Sequence, residues 1–328
     1  MSVNRKRTKY VFSFFAIFYV LGFFLSSCSQ SFTIGVMNSV DGASPAIDGF
    51  FLGMENYGYF EGTNVNYIIK ETPLETEQLA IQAQALVDAK VDMIFTVTTA
   101  ATKAAQEAAA GTDIPIVFVA VRDPIGEGLV ESLIQPGGNL TGVLASGDPS
   151  TVTNRRLELL SIMIPAAEKV WVPYQTGGAL ELIVDNLAQV ATELGVELVL
   201  SPVETSDEAL ELLKNFPEDI DGILYVGGRP FVGITNAFID NAVEKKVPIS
   251  VNYCSGARES ALMAYCSDFY VSGVQAARIA NQIMNNVSPS GIPVEEPDLL
   301  LIINLNVAEL IDLTVSDDML VFADEIIR

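Results

Sequence analysis

The sequence predicts an α/β protein in which one chain forms two lobes, each with a parallel sheet covered by helices. Short apolar runs typical of buried strands alternate with segments of helical spacing along most of the chain. The alternation breaks at residues 137–142, and a second series begins after that point. Strands that lack an alternating polar face are typical of parallel sheets buried on both sides.

The first series begins with the apolar run 32–37, which predicts a strand. Large apolar residues then recur at helical spacing from Pro45 to Tyr57, and Gly58 is suited to end that helix. The same criteria predict three further strands and two further helices in this series. The strands are 65–70, 92–97 and 114–121, and the helices are 75–88 and 100–110.

The second series begins with a predicted helix at 152–163. Its predicted strands are 169–174, 196–203, 221–226, 247–252 and 261–266, and its other helices are 180–194, 206–215 and 231–244. A long helix, 269–284, and a last apolar strand, 299–305, follow, and two lobes joined by more than one crossing would share these final elements. We therefore assign residues 31–144 and 267–294 to the first lobe, and 145–266 and 295–328 to the second.

The composition excludes several classes of function. The chain has 41 acidic and 18 basic residues, a net charge of −23, so the phosphates of nucleic acid would repel it. It has no histidine, which removes His-based triads and His metal ligands, and its three cysteines cannot form a four-cysteine zinc site. It also lacks the phosphate-loop, dinucleotide-binding and nucleophile-elbow motifs. The sequence therefore predicts a protein that is not an enzyme and that uses no cofactor or metal.

The first thirty residues have the parts of a bacterial lipoprotein signal. A basic segment, 4–9, precedes an apolar run, 10–25, and the tetrapeptide Leu-Ser-Ser-Cys at 25–28 resembles a lipobox. This pattern predicts a signal peptide at 1–27, a lipid on the thiol of Cys28, and a folded part anchored to the cell membrane outside the cytoplasm. An uncleaved anchor helix that happens to end in a cysteine is the alternative.

An extracytoplasmic location bears on the two remaining cysteines, Cys254 and Cys266. They lie near the ends of predicted strands, and an oxidising compartment would allow them to form a disulfide. A buried free thiol at each position is an equally good interpretation of the sequence.

Polar residues follow the predicted strands at their carboxyl ends, where doubly wound sheets bind ligands. In the first lobe these candidates are Asn38, Ser39, Thr98, Thr99 and Asp123. In the second lobe they are Tyr174, Gly228, Arg229, Asn252 and Tyr253, with Asp268 near a crossing between the lobes. The set suits a small zwitterion, because helix N-termini or arginine can bind a carboxylate, aspartate an ammonium group, and tyrosine an apolar side chain.

Each candidate also has a purely structural interpretation. Thr98 or Thr99 could be an ordinary helix cap, Asp268 could cap the helix that follows it, and Asp123 with Pro124 could form an ordinary turn. The tyrosines could simply be packing residues.

Several motifs in order along the chain resemble those of solute-binding lipoproteins of bacterial ABC importers, in the subgroup that includes tryptophan-binding proteins. They are Gly-Tyr-Phe-Glu-Gly-Thr-Asn-Val at 58–65, Ala-Val-Arg-Asp-Pro-Ile-Gly-Glu-Gly-Leu-Val at 120–130, Pro-Gly-Gly-Asn-Leu-Thr-Gly at 136–142 and Ala-Leu-Met-Ala-Tyr with Asp-Phe-Tyr at 261–270. The likeness extends from about residue 32 to about residue 315. It implies a periplasmic-binding-protein fold of type I, in which two Rossmann-like lobes joined by hinge strands close on a solute.

The resemblance also implies a function. The protein would capture a small solute, such as an amino acid or a related compound, and hand it to a membrane permease with its ATPase. A receptor subunit that senses a ligand with the same fold and signals through a membrane partner is the alternative. The sequence departs from the family in the loop around Asp41 and at residues 252–255, where an acidic pair is replaced by Asn-Tyr-Cys-Ser. Both departures lie in the presumed pocket and weigh against an aromatic amino acid as the ligand.

Overall fold

The computed structural model describes residues 31–70 and 76–328, which form two α/β lobes. Cys28 and the predicted signal peptide lie outside the described residues. The sheet of the first lobe is parallel throughout and has the order β2-β1-β3-β4-β5. Its strands are β1 (Phe32–Asn38), β2 (Val65–Ile69), β3 (Met93–Val97), β4 (Ile116–Val121) and β5 (Leu140–Leu144).

The sheet of the second lobe has the order β12-β11-β10-β9-β8-β6-β7. Its strands are β6 (Lys169–Gln175), β7 (Glu197–Val203), β8 (Gly222–Leu224), β9 (Ile249–Val251), β10 (Met263–Ser267), β11 (Leu299–Asn304) and β12 (Glu325–Ile327). Its pairs are parallel except for β10 with β11, which is antiparallel.

The helices connect these strands and cover the sheets. They are α1 (Pro45–Asn56), α2 (Thr76–Asp88), α3 (Thr99–Ala108), α4 (Pro149–Met163), α5 (Gly178–Leu194), α6 (Ser206–Lys214), α7 (Thr235–Glu244), α8 (Cys254–Glu259), α9 (Phe269–Met284), α10 (Leu305–Leu310) and α11 (Asp317–Val321). None of the helices in 31–70 and 76–328 combines the length and the hydropathy that a membrane crossing needs.

The core of each lobe lies between its sheet and these helices. In the first lobe Phe50 of α1 stacks on Phe95 of β3, with 4.0 Å between the ring centroids. In the second lobe the fully buried Trp171 of β6 packs against Phe238 of α7. Apolar burial on both faces of the central strands is the main stabilising contribution, and it explains why the strands read as continuous apolar runs.

Helices α1 and α9 are in close contact, although they are far apart in the sequence. Gly49 of α1 and Gly273 of α9 lie directly against the backbone of the partner helix, so that a methyl group at either position would overlap it. The hydroxyl of Tyr59 also donates a hydrogen bond to Oδ1 of Asn281, 222 residues later. The chain thus returns from the second lobe to complete the core of the first.

Three chain segments cross between the lobes, at about 145–148, 267–268 and 292–298, and they are bonded to one another. Leu144 N donates to Glu295 O over 2.9 Å, and Glu295 N donates to Gly142 O over 2.9 Å. The hydroxyl of Ser267 donates to Ala145 O over 3.0 Å. The crossings therefore form one hinge. The lobe boundaries assigned from the sequence stay a prediction.

Most predicted elements lie where the sequence placed them, and the differences have local causes. Strand β5 was not predicted, because glycine at position 142 is typical of a turn. The strand needs glycine there, since a side chain would overlap Phe118. Helix α7 begins at Thr235 rather than at residue 231, because Arg229–Phe231 form a 3-10 turn and Gly233 has φ of 86°. The short elements α8, α10, α11 and β12 were also not predicted.

The expectation of parallel sheets is confirmed with one exception, β11, which was predicted as strand 299–305 and runs antiparallel to β10. The third crossing delivers the chain to the edge of the second sheet where the parallel strands end, and Leu299 pairs with Ser267, the last residue of β10. With no helix to carry the chain to the opposite edge, β11 must run antiparallel to β10.

Candidate functional site

The candidate residues of the first lobe lie at the carboxyl edge of its sheet, as expected, but Asn38 is occupied by its own loop. Its side chain is buried; Nδ2 donates to Val40 O over 2.9 Å and to Ser44 Oγ over 3.2 Å, and Oδ1 accepts from Val40 N over 3.0 Å. Asn38 therefore shapes the loop after β1 rather than presenting free polar atoms.

Ser39 and Thr98 are brought together by the sheet. They follow the neighbouring strands β1 and β3, and their hydroxyl groups are hydrogen-bonded to each other. Both side chains are partly exposed. The two hydroxyls form a compact polar patch at the start of α3, which begins at the half-buried Thr99.

The backbone of Thr98 is strained. Its φ of 81° and ψ of 159° belong to a region that only glycine adopts readily. At the equivalent position after β6, before α5, Gly177 has nearly the same angles, 81° and 152°. The Thr98 side chain makes no capping bond to α3, so no side chain of the described residues caps the first turn of this helix. At this position the second lobe thus has a glycine, whereas the first lobe has a threonine with a strained backbone.

Asp123 follows β4, the strand that pairs with β3 in the sheet. It is exposed, and its Oδ1 accepts a hydrogen bond of 2.8 Å from Gly126 N, which closes the turn after β4. Its second oxygen bonds to no other described residue. The structure therefore gives Asp123 the turn role that its sequence context suggested and leaves one carboxylate oxygen accessible.

In the second lobe, Gly228 and Arg229 contact Gln175, the last residue of β6. Gly228 has φ of 129°, and a side chain there would collide with Gln175. Oε1 of Gln175 accepts a 2.9 Å hydrogen bond from Arg229 N, while the Arg229 side chain is exposed. Tyr174, just before Gln175, is buried, and burial raises the pKa of its hydroxyl. Gln175, which accepts the hydrogen bond from Arg229 N, was not among the predicted site residues.

Asn252 and Tyr253 follow β9. Asn252 is exposed, whereas the Tyr253 ring is half-buried against the backbone of Gly256 in α8. Burial, and to a lesser extent the charge of Glu259, raises the pKa of the Tyr253 hydroxyl. Tyr253 is therefore a neutral ring at neutral pH, suited to contact an apolar group.

A cavity of about 600 Å³ lies where the first lobe faces α8 of the second lobe and the residue before it, Tyr253. Two of the candidate residues, Tyr253 and Asp268, line it together, and the other candidates do not. Its lining comprises Gly42, Pro45, Tyr253, Cys254, Ser255, Arg258, Ser267, Asp268, Phe269, Tyr270, Val271, Leu300 and Glu325. Because the loop after β1 and the loop after β9 share this cavity, the carboxyl edges of the two sheets face each other.

The carboxylate of Asp268 is fully occupied by protein groups. Its Oδ1 accepts from Tyr270 N over 2.8 Å and Val271 N over 3.2 Å, which caps α9. Its Oδ2 accepts a 2.7 Å bond from Nη1 of Arg258, whose Nη2 pairs with Glu325 over 2.8 Å. The paired carboxylates, Glu325 first, raise the pKa of Arg258. Asp268 thus has the capping role considered as an alternative, together with an ion pair.

Cys254 and Cys266 form a disulfide, and their Cα atoms lie 5.6 Å apart. The bond joins the first residue of α8, next to Tyr253, to β10, two residues before Asp268. It therefore fixes the wall of the cavity that carries both candidate residues.

Sequence reasoning missed a buried cation behind the second-lobe candidates. Arg156 of α4 is 1% exposed, and its Nη2 donates to Tyr225 O over 2.8 Å and to Ser250 O over 2.6 Å. Desolvation lowers its pKa to about 9. The available signal was its spacing, because residue 156 lies on the apolar stripe formed with Leu157 and Leu160.

Among residues 31–70 and 76–328, no group of three His, Cys, Asp or Glu side chains is placed to hold a metal ion. The polar groups at the two sheet edges are hydroxyls, backbone N–H groups, the Asp123 carboxylate, the Asn252 amide and the Arg229 guanidinium, and the Tyr253 ring adds apolar surface. Such a set can bind a small organic solute by hydrogen bonds and packing.

Comparison with known proteins also indicates a protein that binds a solute. Residues 32–327 match the model of a protein family described as ABC transporter substrate binding protein. A protein named tyrosine-binding protein, from Clostridioides difficile (strain R20291), is 30% identical over 288 residues, which cover 85% of this chain and 81% of that protein.

Solved structures share the fold. The ligand-free, open structure of a substrate-binding protein with adhesive properties from Clostridium difficile has a TM-score of 0.73 and 24% identity, with 90% of this chain and 99% of that chain covered. The ABC domain in complex with L-Trp from Streptococcus pneumonia has a TM-score of 0.64 and 21% identity, with 91% and 100% covered. The type I periplasmic-binding-protein fold expected from the sequence motifs is confirmed.

Proposed function

Because the chain belongs to the ABC transporter substrate-binding protein family, a class of solute-binding proteins, we propose that it captures an α-amino acid between its lobes and delivers it to a membrane permease. Three features support the ligand class, and each corresponds to one part of an amino acid.

The observation that carries the proposal is the first turn of α3. Thr98 directs its hydroxyl to Ser39 instead of to the helix, so the first backbone N–H groups of α3 have no side-chain acceptor among the described residues. A helix N-terminus carries partial positive charge and donors aimed outward, which favours an anion. A ligand carboxylate would accept hydrogen bonds from these N–H groups and from the two hydroxyls.

The remaining parts of the ligand have partners too. The accessible oxygen of Asp123 is suited to accept from an ammonium group. Tyr253, Phe269 and Tyr270 offer aromatic surface at the cavity. This surface, together with the name of the 30% identical relative, favours an aromatic amino acid, with L-tyrosine as the first candidate. We prefer it to the expectation drawn from the departures at Asp41 and 252–255.

The proposal includes a location. Lipidation at Cys28 would hold the protein on the outer side of the membrane, beside the permease and its ATPase, and a disulfide between Cys254 and Cys266 suits an oxidising compartment.

The test is calorimetric titration of the detergent-solubilised full-length protein with L-tyrosine, L-tryptophan, L-phenylalanine, L-alanine and glycine. We expect an aromatic amino acid to bind and, at about 100 times its Kd, to stabilise the protein by about 2.7 kcal/mol. Tyramine, which lacks the carboxylate, is the control and should bind much more weakly. The absence of both heat and thermal stabilisation with all of these amino acids would contradict the proposal.

A further inference from the structure

Arg156 is a buried cation whose hydrogen-bonding partners are all neutral. It lies in α4, and its guanidinium reaches between β8 and β9. Nη2 donates to the carbonyls of Tyr225 and Ser250, over 2.8 and 2.6 Å, and Nε donates to Ser250 Oγ over 3.3 Å. Ser250 is itself completely buried.

The charge of Arg156 has no counter-ion in the described part of the chain. Arg156 and Asp268 are the charged residues buried there, and Asp268 is paired with Arg258. None of the ion pairs among residues 31–70 and 76–328 includes Arg156. Removing a cation from water without an anionic partner is unfavourable, and hydrogen bonds to neutral carbonyl and hydroxyl oxygens offset only part of that cost.

Burial disfavours the charged form of the side chain. Desolvation lowers the pKa of Arg156 to about 9, which leaves the side chain charged at neutral pH. An arginine suits this position because its guanidinium is weakly hydrated and presents several donors in a fixed plane.

The carbonyls that Arg156 binds lie just below the ligand edge of the second sheet. Tyr225 lies two residues before Gly227, which is next to the candidate residue Gly228. Ser250 lies two residues before the candidate residue Asn252. Gly227 in turn is tied to β6, since its N–H donates to Pro173 O over 3.1 Å and its carbonyl accepts from Gln175 N over 2.8 Å. One guanidinium therefore bonds to the ends of two adjacent strands under this half of the site, and these ends are also joined by the 3.0 Å hydrogen bond from Tyr225 N to Ser250 O.

We propose that Arg156 is a positioning residue that also sets the charge preference of the site. It fixes the carboxyl ends of β8 and β9, and its positive charge beneath them favours a ligand that carries a carboxylate when the second lobe closes on it. This inference rests on the proposed function, because it assumes a carboxylate ligand in the cleft between the lobes. In a chain with a net charge of −23, local cations favour an anionic group there, and Arg156 adds a buried one to the exposed Arg229 at the same edge.

The test compares two ligands that differ in the carboxylate, L-tyrosine and L-tyrosinamide, by calorimetric titration of the full-length protein. We expect Arg156→Gln to reduce the preference for L-tyrosine over L-tyrosinamide by roughly tenfold or more, mainly through weaker binding of L-tyrosine. Arg156→Lys loses the planar fork, and because desolvation lowers the pKa of a buried lysine, this variant is titrated at pH 6, where it retains the charge. It should then keep the preference while binding both ligands more weakly.

The matched control is Arg155→Gln. Arg155 is the neighbouring residue of the same helix, is exposed and pairs with Glu158 over 2.7 Å, so its loss should leave both affinities unchanged. If Arg156→Gln weakens the binding of both ligands by the same factor, the preference for L-tyrosine is unaltered. Arg156 would then have only a structural role, and the proposal would be overturned.

If Arg156→Gln does not fold, Arg156→Lys tests the proposal alone. This variant retains the charge, so loss of its preference for L-tyrosine over L-tyrosinamide would contradict the proposal. Failure of the wild-type protein to bind either ligand would overturn the proposed function and this inference with it. Wild-type binding with no change of preference in the Arg156 variants would overturn the inference alone.

Discussion

Nη1 of Arg258 donates a 2.7 Å hydrogen bond to Oδ2 of Asp268, and this contact links the two lobes at the hinge. Arg258 lies in α8 of the second lobe, whereas Asp268 caps α9, which packs on α1 of the first lobe. The Asp268 carboxylate therefore caps a helix of the first lobe at the end of a crossing segment. It also forms an ion pair with Arg258 in a helix of the second lobe.

We expect Asp268→Ala to lower the free energy of unfolding more than Asp268→Asn. The alanine variant loses both the helix cap and the ion pair, and a lost cap alone typically costs about 1 kcal/mol. The asparagine side chain can still cap α9, so only the ion pair is lost. Urea denaturation of both variants measures the difference, and equal destabilisation would show that the cap contributes little.

The strain at Thr98 gives a second prediction. Thr98→Ala and Thr98→Gly both lose the hydroxyl that bonds to Ser39, so both should bind L-tyrosine about tenfold more weakly. Glycine also relieves the backbone strain, and we expect Thr98→Gly to be more stable than Thr98→Ala by about 1 kcal/mol. Calorimetry and thermal denaturation measure the two effects.

The reverse substitution is the control for this pair. Gly177 has the same backbone angles and open space around its Cα, so Gly177→Ala should lose stability through strain alone. An alanine there that costs nothing would remove the basis for the strain at Thr98.

Removing the disulfide should destabilise the protein. Cys254 and Cys266 are separated by 12 residues, and closing a loop of this size contributes roughly 2 to 3 kcal/mol by restricting the unfolded chain. In urea denaturation, dithiothreitol should bring the wild-type protein to the level of the Cys254→Ser, Cys266→Ser double variant. The double variant itself should not respond to dithiothreitol, and an unresponsive wild type would contradict the prediction.

The buried hydroxyl of Tyr225 predicts a loss of stability at alkaline pH. Burial raises the pKa of Tyr225 to about 12, from 10.0 for an ordinary tyrosine. Between these values the unfolded chain releases this proton first, so the folded state binds more protons and its stability falls as the pH rises. This group should contribute a loss of roughly 2 kcal/mol across that interval.

Urea denaturation at pH 8, 9, 10 and 11 checks the sign. Tyr225→Phe should reduce the alkaline slope, at the expense of the 2.9 Å hydrogen bond to Thr235. A slope that is the same in the variant would mean that other groups govern alkaline unfolding.

The lipid anchor is tested separately. Cys28→Ala should abolish acylation, because the thiol of Cys28 is the group that forms the thioether in our proposal. Metabolic labelling with a radioactive fatty acid measures it, and label that persists in the variant would argue against the anchor.

The strands and helices that could be predicted are those with one consistent pattern. The apolar run at 32–37 gave β1 to within one residue, and helical spacing after the capping residue Asp268 gave α9 at its observed bounds. Strand β5 was missed because Gly142, needed for close packing on Phe118, reads locally as a turn. The direction of β11 depends on the crossing that precedes it, which a local pattern does not contain.

The site was harder to predict than the fold. The rule that ligands lie at the carboxyl ends of parallel strands selected Ser39, Thr98 and Tyr253 as candidates, which stay predictions, but it could not show that Asn38 is occupied by its own loop. Arg156 was missed because a charged residue on an apolar stripe is usually solvated at its tip, and only the partner strands reveal that this one is not.

The packing of α9 on α1 has a consequence for the order of folding. The bond between Tyr59 and Asn281 spans 222 residues, and the whole second-lobe series from α4 to β10 lies within that loop. Closing a loop of this length as an unstructured chain is entropically costly, and contacts so distant in sequence slow folding. We therefore expect the enclosed strands to fold first and shorten the loop. Until α9 arrives, the glycine-lined face of α1 remains open to solvent, and the incompletely folded chain is most prone to aggregation during that interval.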